Sequence, residues 1–435
     1  MGSESGASNT TRREFVVQAA AGLATAVTAA NLRAQSGTGP GGRIRVAFIG
    51  LGGMGMGRLR QFMKHEDVEV AALCDVDENH LTAAQAEVEK QAGRRPERLR
   101  DFRRVLDRRD VDAVAICTPD HWHALPTIMA CQAGKDVFVE KPLSYSIGEG
   151  RLMADAARKH GRVTQMGNHI HNDLPNYRRV VELVRSGRLG RIDRVYCWKR
   201  SESKGLGNPP DGDPPKGLDY DFWLGPAPKR RFNPNRAHFN YRYFWDYSGG
   251  MFIDFWCHIT DVAYWALDLQ APRSVSASGF RNLADDNAET PNVLEAVYEY
   301  PGLLLTWGLH PVGLPGWAGV DPGCAFIGSE ATLVTAYGRH EVFVKGKPEP
   351  GFPRPEPSIP DSPGHIREFL DSVKSRKETS CNLQYSHRLS KAGLLGCIAL
   401  RVGRKILWDD ARERIEGDSK AQSLVKRRYR KPWRL

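Results

Sequence analysis

The sequence has no apolar run long enough to cross a membrane as a helix. Such a helix needs about 20 mainly apolar residues, and the small-residue run Ala19–Ala30 is shorter than that. No cysteine precedes Cys74, which argues against a lipid anchor on the N-terminal segment. We therefore expect no membrane anchor.

Metal-binding and redox motifs of cysteine and histidine are also missing. The eight cysteines include no C-x-x-C pair, and no H-E-x-x-H motif occurs. Most of the cysteines stand in apolar surroundings, which is typical of small core residues. We expect no metal centre and no disulfide framework.

The chain has no excess of acidic residues, since 62 Lys and Arg oppose 51 Asp and Glu for a net charge of +11. Basic residues concentrate at Arg94–Arg109 and Lys426–Arg434, and such clusters sometimes bind nucleic acid or other polyanions. The first cluster is interrupted by acidic and apolar side chains, as in an amphipathic surface helix. We expect solvated surfaces and no nucleic-acid partner.

Residues 1–35 have the pattern of an export signal. Thr11-Arg12-Arg13-Glu14-Phe15-Val16 is a twin-arginine pattern, and the run Ala19–Ala30 follows it. Signals of this kind direct folded proteins out of the cytoplasm. We expect a periplasmic or otherwise exported protein, and the alternative is a cytoplasmic protein with a disordered basic N-terminus.

A glycine-rich turn follows the first predicted strand. Ile44–Ile49 is a short, β-rich apolar run, and Gly50, Gly52 and Gly55 after it have the spacing G-x-G-x-x-G. This spacing provides a tight turn, a close backbone approach to a pyrophosphate, and close packing of the next helix on the strand. That helix would point its N-terminal N–H groups at the phosphates. The predicted phosphate-binding residues are Gly50, Gly52, Gly53, Met54 and Gly55.

An acidic residue stands at the end of the second predicted strand, Val68–Cys74. Asp75 lies 20 residues after Gly55, where a carboxylate accepts hydrogen bonds from a ribose 2′-OH. Asp77 follows, and no arginine adjoins these two acids in the sequence, so a 2′-phosphate would meet like charge. The pattern predicts a dinucleotide site that takes NAD, with NADP less favoured. The alternative is an ordinary βαβ turn with a surface aspartate.

Strands and helices alternate through residues 43–168, which predicts a parallel, doubly wound α/β sheet. Ligands of such sheets bind beyond the carboxyl ends of the strands. Polar residues stand at these ends, after the predicted strands Val111–Cys117, Asp136–Val139 and Arg162–Met166. The cofactor-binding candidates among them are Thr118, Pro119, His121, His123, Glu140, Lys141 and Asn168.

The pattern changes in residues 169–435, which we predict to be a second domain of the α+β class. Proline, glycine and aromatic residues crowd 205–250, and closely spaced strand-like runs such as Val293–Tyr300 and Leu303–Leu309 follow. Short turns such as Pro301-Gly302 join these runs, which is typical of a mainly antiparallel sheet. One face would cover the cofactor cleft, and we expect the other to pair subunits in a homo-oligomer, a dimer or tetramer.

One apolar helix of the second domain carries a polar stripe. Helical spacing puts Asp254, His258 and Asp261 on one face, and burying such groups is costly unless they are paired. The stripe has three explanations: a metal site, a structural histidine with satisfied hydrogen bonds, or a catalytic group. No further histidine stands nearby in the sequence to complete a metal site, so we favour catalysis.

Together these residues resemble the glucose–fructose oxidoreductase, inositol dehydrogenase and rhizopine-catabolism family (Gfo/Idh/MocA) from about residue 44 to residue 435. The motifs that carry the resemblance are the glycine loop, Asp75, Cys117-Thr118-Pro119 with His123, Glu140-Lys141-Pro142, and Asp254 with His258. The resemblance implies a Rossmann domain followed by a substrate domain, and a nicotinamide cofactor. It also implies that Lys141, Asp254 and His258 face the substrate carbinol beside the nicotinamide. Residues 222–228 and 243–250 resemble exported members of the family more than inositol dehydrogenases.

The chemistry of alcohol oxidation gives these three residues separate roles. His258 is the natural base for the hydroxyl proton, because the unperturbed pKa of histidine lies near neutrality. Lys141 would stabilise the developing alkoxide, although an ion pair with a strand-end carboxylate is an alternative role. Asp254 would orient His258 or bind a neighbouring hydroxyl. We expect His121 and His123 to shape the nicotinamide pocket.

Three functions fit this sequence. The first is an oxidoreductase that acts on the CH–OH group of a sugar, polyol or glycoside, with hydride transfer to a tightly bound nicotinamide. The second is a glycosidase that oxidises its sugar transiently with bound NAD and then returns the hydride, as some relatives of the family do. The third is a non-catalytic nucleotide-binding protein. We favour the first, with a small carbohydrate as substrate.

Overall fold

The computed structural model describes residues 42–311 and 319–435, which contain two β-sheets and the helices packed on them. The predicted export signal at residues 1–35 lies outside the described residues. Within the described ranges, no helix combines the length and the apolar character that crossing a membrane requires.

The first sheet has six strands: β1 (Ile44–Ile49), β2 (Val68–Cys74), β3 (Glu97–Leu99), β4 (Ala113–Ile116), β5 (Asp136–Val139) and β6 (Thr164–Met166). The helices between them are α1 (Gly53–Met63), α2 (Glu78–Ala92), α3 (Phe102–Leu106), α4 (Ala124–Gln132) and α5 (Ile147–Lys159). The strand order is β3-β2-β1-β4-β5-β6, and every pair is parallel. Strands β4 and β5 are buried along their whole length, as a sheet with helices on both faces requires. The predicted doubly wound α/β domain is confirmed.

The basic segment Arg94–Arg109 is not the single surface helix that the sequence suggested. It contains the edge strand β3, which pairs with β2, and the short helix α3. Asp101 separates the two elements, because its carboxylate accepts the N–H of Arg103 at 2.9 Å and caps the helix. Arginines of this segment pair with acids, as in the contact of Arg108 with Glu97 at 2.5 Å. Much of the local positive charge is therefore neutralised.

The second sheet has ten strands: β7 (Ile192–Arg200), β8 (Ser274–Phe280), β9 (Val293–Tyr300), β10 (Leu303–His310), β11 (Gly323–Gly328), β12 (Thr332–Thr335), β13 (His340–Val344), β14 (Lys347–Pro348), β15 (Ile406–Asp409) and β16 (Arg414–Glu416). Their order is β14-β13-β12-β11-β7-β10-β9-β8-β15-β16. Strands β7 and β10 pair in parallel, and the other neighbouring strands with a recorded register are antiparallel. The predicted mainly antiparallel sheet is confirmed.

The helices of the later part of the chain are α6 (Ile170–Asp173), α7 (Pro175–Arg185), α8 (Tyr220–Leu224), α9 (Gly250–Leu267), α10 (His365–Ser375), α11 (Leu383–Val402) and α12 (Ser419–Gln422). Helix α9 packs on the second sheet through Trp256, whose ring centroid lies 4.9 Å from that of Tyr298 and 5.7 Å from that of Trp307. This packing fixes the helix that carries Asp254 and His258.

Helix α10 crosses back to the first sheet. Its Phe369 packs edge-to-face against Phe62 and Phe138, and its Arg367 pairs with Asp67 at 2.9 Å. A helix from beyond residue 168 therefore covers one face of the first sheet.

The eight cysteines are free thiols, and all except Cys117 are buried.

Candidate functional site

A cavity of about 330 Å³ lies beyond the carboxyl ends of the parallel strands, between the two domains. The first domain supplies the glycine loop after β1, Asp75 after β2, Thr118 and Pro119 after β4, and Glu140 and Lys141 after β5. The second domain supplies Trp223, His238, Tyr241, Arg242 and Asp254. Strand-end loops scattered over 90 residues of sequence therefore meet at one site, as a parallel sheet dictates.

The glycine loop has the geometry of a phosphate cradle. Gly50 has a φ of +89°, and a Cβ there would lie 2.7 Å from the backbone of Cys117 and Thr118. A Cβ on Gly55 would overlap the carbonyl oxygen of Gly50. A Cβ on Gly53 would meet no protein atom within 4 Å, and Gly53 begins α1 and lines the cavity. The open face of the turn thus leaves room for a pyrophosphate at the N-terminus of α1.

Asp75 is held by three contacts at the same end of the cavity. Its carboxylate accepts the N–H of Leu51 at 2.6 Å and the N–H of Asp77 at 2.9 Å, and it lies 3.3 Å from the Nδ1 of His80. These contacts fix the carboxylate beside the glycine loop, where a ribose would lie.

No arginine adjoins Asp75 or Asp77 in the sequence, but the fold brings Arg100 to the wall of the same cavity. Arg100 follows β3, which pairs with β2, and so its side chain lines the cavity. Its Nη2 donates to Glu78 at 3.1 Å, which offsets part of its charge.

Loops of the second domain cover this end of the cavity. Leu218 forms an antiparallel bridge with Asp77, and the N–H of Glu78 donates to the carbonyl oxygen of Gly217 at 3.2 Å. The Nε2 of His238 lies 2.9 Å from the Oδ2 of Asp77. The adenosine end of the predicted nucleotide site is therefore enclosed by the substrate domain.

The predicted catalytic residues Lys141 and Asp254 are in direct contact in the cavity wall. The Nζ of Lys141 donates to the Oδ1 of Asp254 at 2.6 Å and to its carbonyl oxygen at 3.1 Å. Burial would raise the pKa of Asp254, but the charges of Lys141 and Arg242 outweigh it and lower this pKa to about 2. Burial would lower the pKa of Lys141, and Asp254 raises it overall. Both groups are therefore charged at neutral pH.

His258 lies one turn further along α9, is buried, and does not line the cavity. Its Nδ1 is 3.1 Å from the Oδ1 of Asn168, whose amide nitrogen donates to the carbonyl oxygen of Cys257. Because that amide oxygen is an acceptor, Nδ1 carries the hydrogen and Nε2 carries the lone pair. Burial and the charge of Lys141 hold the pKa of His258 well below its usual range, so the ring is neutral.

Asn168 was predicted to bind the cofactor, and its side chain is fully buried and bonded to His258 and Cys257. Of the predicted loop residues after β4, the two histidines also make internal contacts. His121 lies 3.0 Å from the carbonyl oxygen of Trp223, and His123 lies 2.7 Å from that of Pro142. Burial lowers the pKa of His121 to about 3. The cofactor-binding roles of these three residues stay predictions.

Glu140 lines the cavity, but its carboxylate belongs to an ion pair. The Nε of Arg58, from α1, lies 2.5 Å from the Oε1 of Glu140. This contact ties the glycine-loop helix to the strand that ends at Lys141. The sequence analysis predicted Glu140 as a cofactor contact, and the structure adds its ion pair with Arg58.

Polar residues around Asp254 complete the site, and the sequence analysis gave no role to three of them, Asp120, Arg242 and Ser248. The hydroxyl of Tyr241 donates to the Oδ1 of Asp120 at 3.0 Å, and the hydroxyl of Ser248 donates to its Oδ2 at 2.5 Å. The Nε of Arg242 lies 3.6 Å from the Oδ2 of Asp254. Asp120 had a signal, because it follows Thr118-Pro119 at a strand end. Arg242 and Ser248 had no such signal, because only the fold of residues 205–250 brings them to the site.

A nucleotide cradle on a Rossmann sheet faces a charged pair that this sheet and a second α/β domain supply jointly. This is the architecture of a two-domain dinucleotide-binding protein. The chain belongs to the Gfo/Idh/MocA family. Residues 44–168 match the family described as "Oxidoreductase family, NAD-binding Rossmann fold". Residues 182–299 and 347–435 match its companion, "Oxidoreductase family, C-terminal alpha/beta domain". The predicted family is confirmed, and the cofactor is NAD.

Among curated relatives, a glycosyl hydrolase family 109 protein of Shewanella putrefaciens is 33% identical over 157 residues, which is 34% of this chain and 33% of the relative. An alpha-N-acetylgalactosaminidase of Shewanella oneidensis is 32% identical over the same length, with the same coverage of both chains. The chain thus matches about a third of the length of these relatives.

Among solved structures, the WlbA dehydrogenase of Bordetella pertussis, in complex with NADH and UDP-GlcNAcA, has a TM-score of 0.63 at 18% identity, covering 84% of this chain and 99% of that one. The scyllo-inositol dehydrogenase of Lactobacillus casei, with bound NAD(H) and scyllo-inositol, has a TM-score of 0.59 at 19% identity and the same coverage. At these identities the likeness supports the shared fold.

Proposed function

We propose that the chain oxidises the CH–OH group of a sugar, polyol or glycoside and retains its NAD throughout the reaction. The observation that carries this proposal is that one cavity contains both the phosphate cradle at Gly50–Gly55 and the Lys141–Asp254 pair. The cradle places a dinucleotide, and the charged pair lies at the other end, where a nicotinamide and a substrate hydroxyl would meet.

Bound NAD supplies the hydride acceptor, and the residues of the chain manage the proton and the charge. The Nε2 of His258 carries the lone pair that would accept the hydroxyl proton. Its ring is buried behind the cavity wall and its pKa is depressed, so this role requires the substrate hydroxyl to reach the ring and makes His258 a weak base. The ammonium group of Lys141, oriented by Asp254, stabilises the alkoxide as it forms. The hydroxyl of Tyr241, directed by Asp120, is placed to orient the sugar.

Enclosure of the adenosine end supports retention of the nucleotide. Release would require the bridge between Asp77 and Leu218 to open, together with the contact between Asp77 and His238. Two schemes restore the cofactor in place: an exchange between two sugars, or a glycosidase that returns the hydride to the same sugar. The match to glycosyl hydrolase family 109 proteins is consistent with the second scheme.

We extend the proposal to export and assembly. The pattern around Arg12 and Arg13 supports transport to the periplasm, where free NAD is scarce and a retained cofactor is an advantage. The second sheet has the exposed apolar side chains Phe280, Leu304 and Leu407. We propose that this sheet pairs subunits as a homo-oligomer, with these side chains in the interface.

Product analysis of the purified protein with aldoses, polyols and glycosides tests the proposed reaction. For the oxidoreductase, we expect a keto-sugar together with an equal amount of a reduced second sugar. When no second sugar is supplied, we expect at most one keto-sugar per chain. Free sugar from a glycoside, without net oxidation, would establish the glycosidase instead. No change in any substrate class would favour a non-catalytic nucleotide-binding protein.

A further inference from the structure

Three side chains that join the two domains beside the cavity have the arrangement of a metal site. We propose that Asp77, His80 and His238 bind one divalent ion of the zinc class. One ligand atom from each residue lies within 4.8 Å of the other two. The sequence predicted no metal centre, because His238 follows His80 by 158 residues and only the fold brings the imidazoles together.

The spacing of the three groups is close to that of a tetrahedral zinc site. Bonds of about 2.0–2.1 Å in such a site separate the ligand atoms by about 3.3 Å. The Nε2 of His238 and the Oδ2 of Asp77 are 2.9 Å apart, and the ring centroids of His80 and His238 are 4.6 Å apart. Small side-chain rotations therefore suffice to bring all three groups onto one ion.

The contacts around the three side chains are those that support metal ligands. The Nδ1 of His80 lies 3.3 Å from the carboxylate of Asp75, and such a carboxylate orients a ligating imidazole through its other nitrogen. The Oδ1 of Asp77 accepts the N–H of Asn79 at 2.8 Å, which leaves its Oδ2 for the metal.

Three protein ligands leave one position of a tetrahedral ion open. His80 and His238 both line the cavity, so this position is available to water at the cavity wall. Because Asp77 and His80 belong to the first domain and His238 to the second, the ion cross-links the domains over the adenosine end. Binding of the metal ion does not depend on the proposed function. The further expectation that zinc slows the release of NAD rests on the proposed function.

Zinc binding to the purified full chain tests the site without any measurement of activity. The protein is dialysed against a chelator and then titrated with Zn²⁺ in competition with a chromophoric chelator. We expect one Zn²⁺ per chain. Loss of an outer-shell partner of a metal ligand weakens metal affinity by roughly 10–100-fold. Asp75→Asn, which alters the partner of His80, should weaken the Zn²⁺ affinity within that range. His238→Ala and His80→Ala, which remove ligands, should each weaken it further. His160→Ala is the matched control, because His160 caps the C-terminus of α5 outside the cavity wall.

The absence of stoichiometric Zn²⁺ binding, or wild-type affinity in His238→Ala, would overturn the proposal. If a variant fails to fold, the wild type still decides the question when it is loaded with Co²⁺. A four-coordinate site gives intense visible absorption bands, whereas pale six-coordinate bands would contradict it. Loss of NAD retention with intact Zn²⁺ binding would count against the proposed function and leave the metal site standing.

Discussion

Replacing Lys141 with methionine removes the ammonium group that neutralises buried Asp254. The shift of the Asp254 pKa from 3.8 to about 2 corresponds to about 2 kcal/mol of stability at neutral pH. Because the folded pKa is depressed, this contribution is present above about pH 4 and is lost as the pH falls through about 2.

Removing one partner of a buried ion pair costs about 3–5 kcal/mol. Arg242 remains within 3.6 Å of Asp254 and compensates in part. We therefore expect Lys141→Met to lose about 2–3 kcal/mol of unfolding free energy at pH 7. The deficit should shrink as the pH is lowered, because the unpaired carboxyl takes up a proton in the variant. Turnover should fall about 100-fold or more, because the alkoxide loses its stabilising cation.

Denaturant unfolding between pH 7 and pH 3, with turnover measured at pH 7, tests both effects. Lys135→Met is the matched control at the opposite end of β5. The Nζ of Lys135 is also buried, and it donates to the carbonyl oxygens of Arg108 and Val111 at 2.6 and 2.9 Å, far from the cavity. It should lose stability and keep its turnover. A Lys141→Met protein with wild-type turnover, or with a stability deficit that does not depend on pH, would refute the assignment.

Three further predictions concern the base, the nucleotide and export. His258→Ala should lower turnover about 100-fold or more while NAD binding is kept, and wild-type turnover with a large loss of stability would show a structural role instead. NADP should bind more weakly than NAD, by on the order of 1 kcal/mol for each contact of a 2′-phosphate with Asp75 or Asp77, and calorimetric titration of the apoprotein checks this; tighter NADP binding would mean that Arg100 dominates. Replacing Arg12 and Arg13 together with lysine should keep the protein in the cytoplasm, as fractionation would show, and an unchanged periplasmic yield would remove the export claim.

The first domain was largely predictable from sequence because its signals are local. A buried strand, a glycine turn and a strand-end acid each fall within a few residues, and parallel topology then gathers the strand ends at one edge. Thus Gly50, Asp75 and Lys141 are brought together as expected. The family resemblance implied that Lys141 and Asp254 face one site, and in the structure the two side chains are in contact. The family itself is confirmed.

The rest depends on contacts between distant parts of the chain. The segment that contains Tyr241 and Arg242 has no regular periodicity, so its approach to Asp254 could not be inferred. The packing of α10 on the first sheet is another such contact. There, the side-chain nitrogen of Gln165 donates to the carbonyl oxygen of His365, which lies 200 residues later in the sequence. The prediction of a single helix over Arg94–Arg109 was wrong, because Asp101 caps a shorter helix and the residues before it form an edge strand.

The nucleotide content of the protein tests the central claim most directly. The full chain is purified without added nucleotide and denatured, and the supernatant is assayed for NAD by mass spectrometry. We expect nearly one NAD per chain, which implies a dissociation constant on the order of nanomolar, or about −12 kcal/mol. A folded protein that contains no nucleotide and needs millimolar NAD for activity would contradict retention and indicate a conventional dehydrogenase.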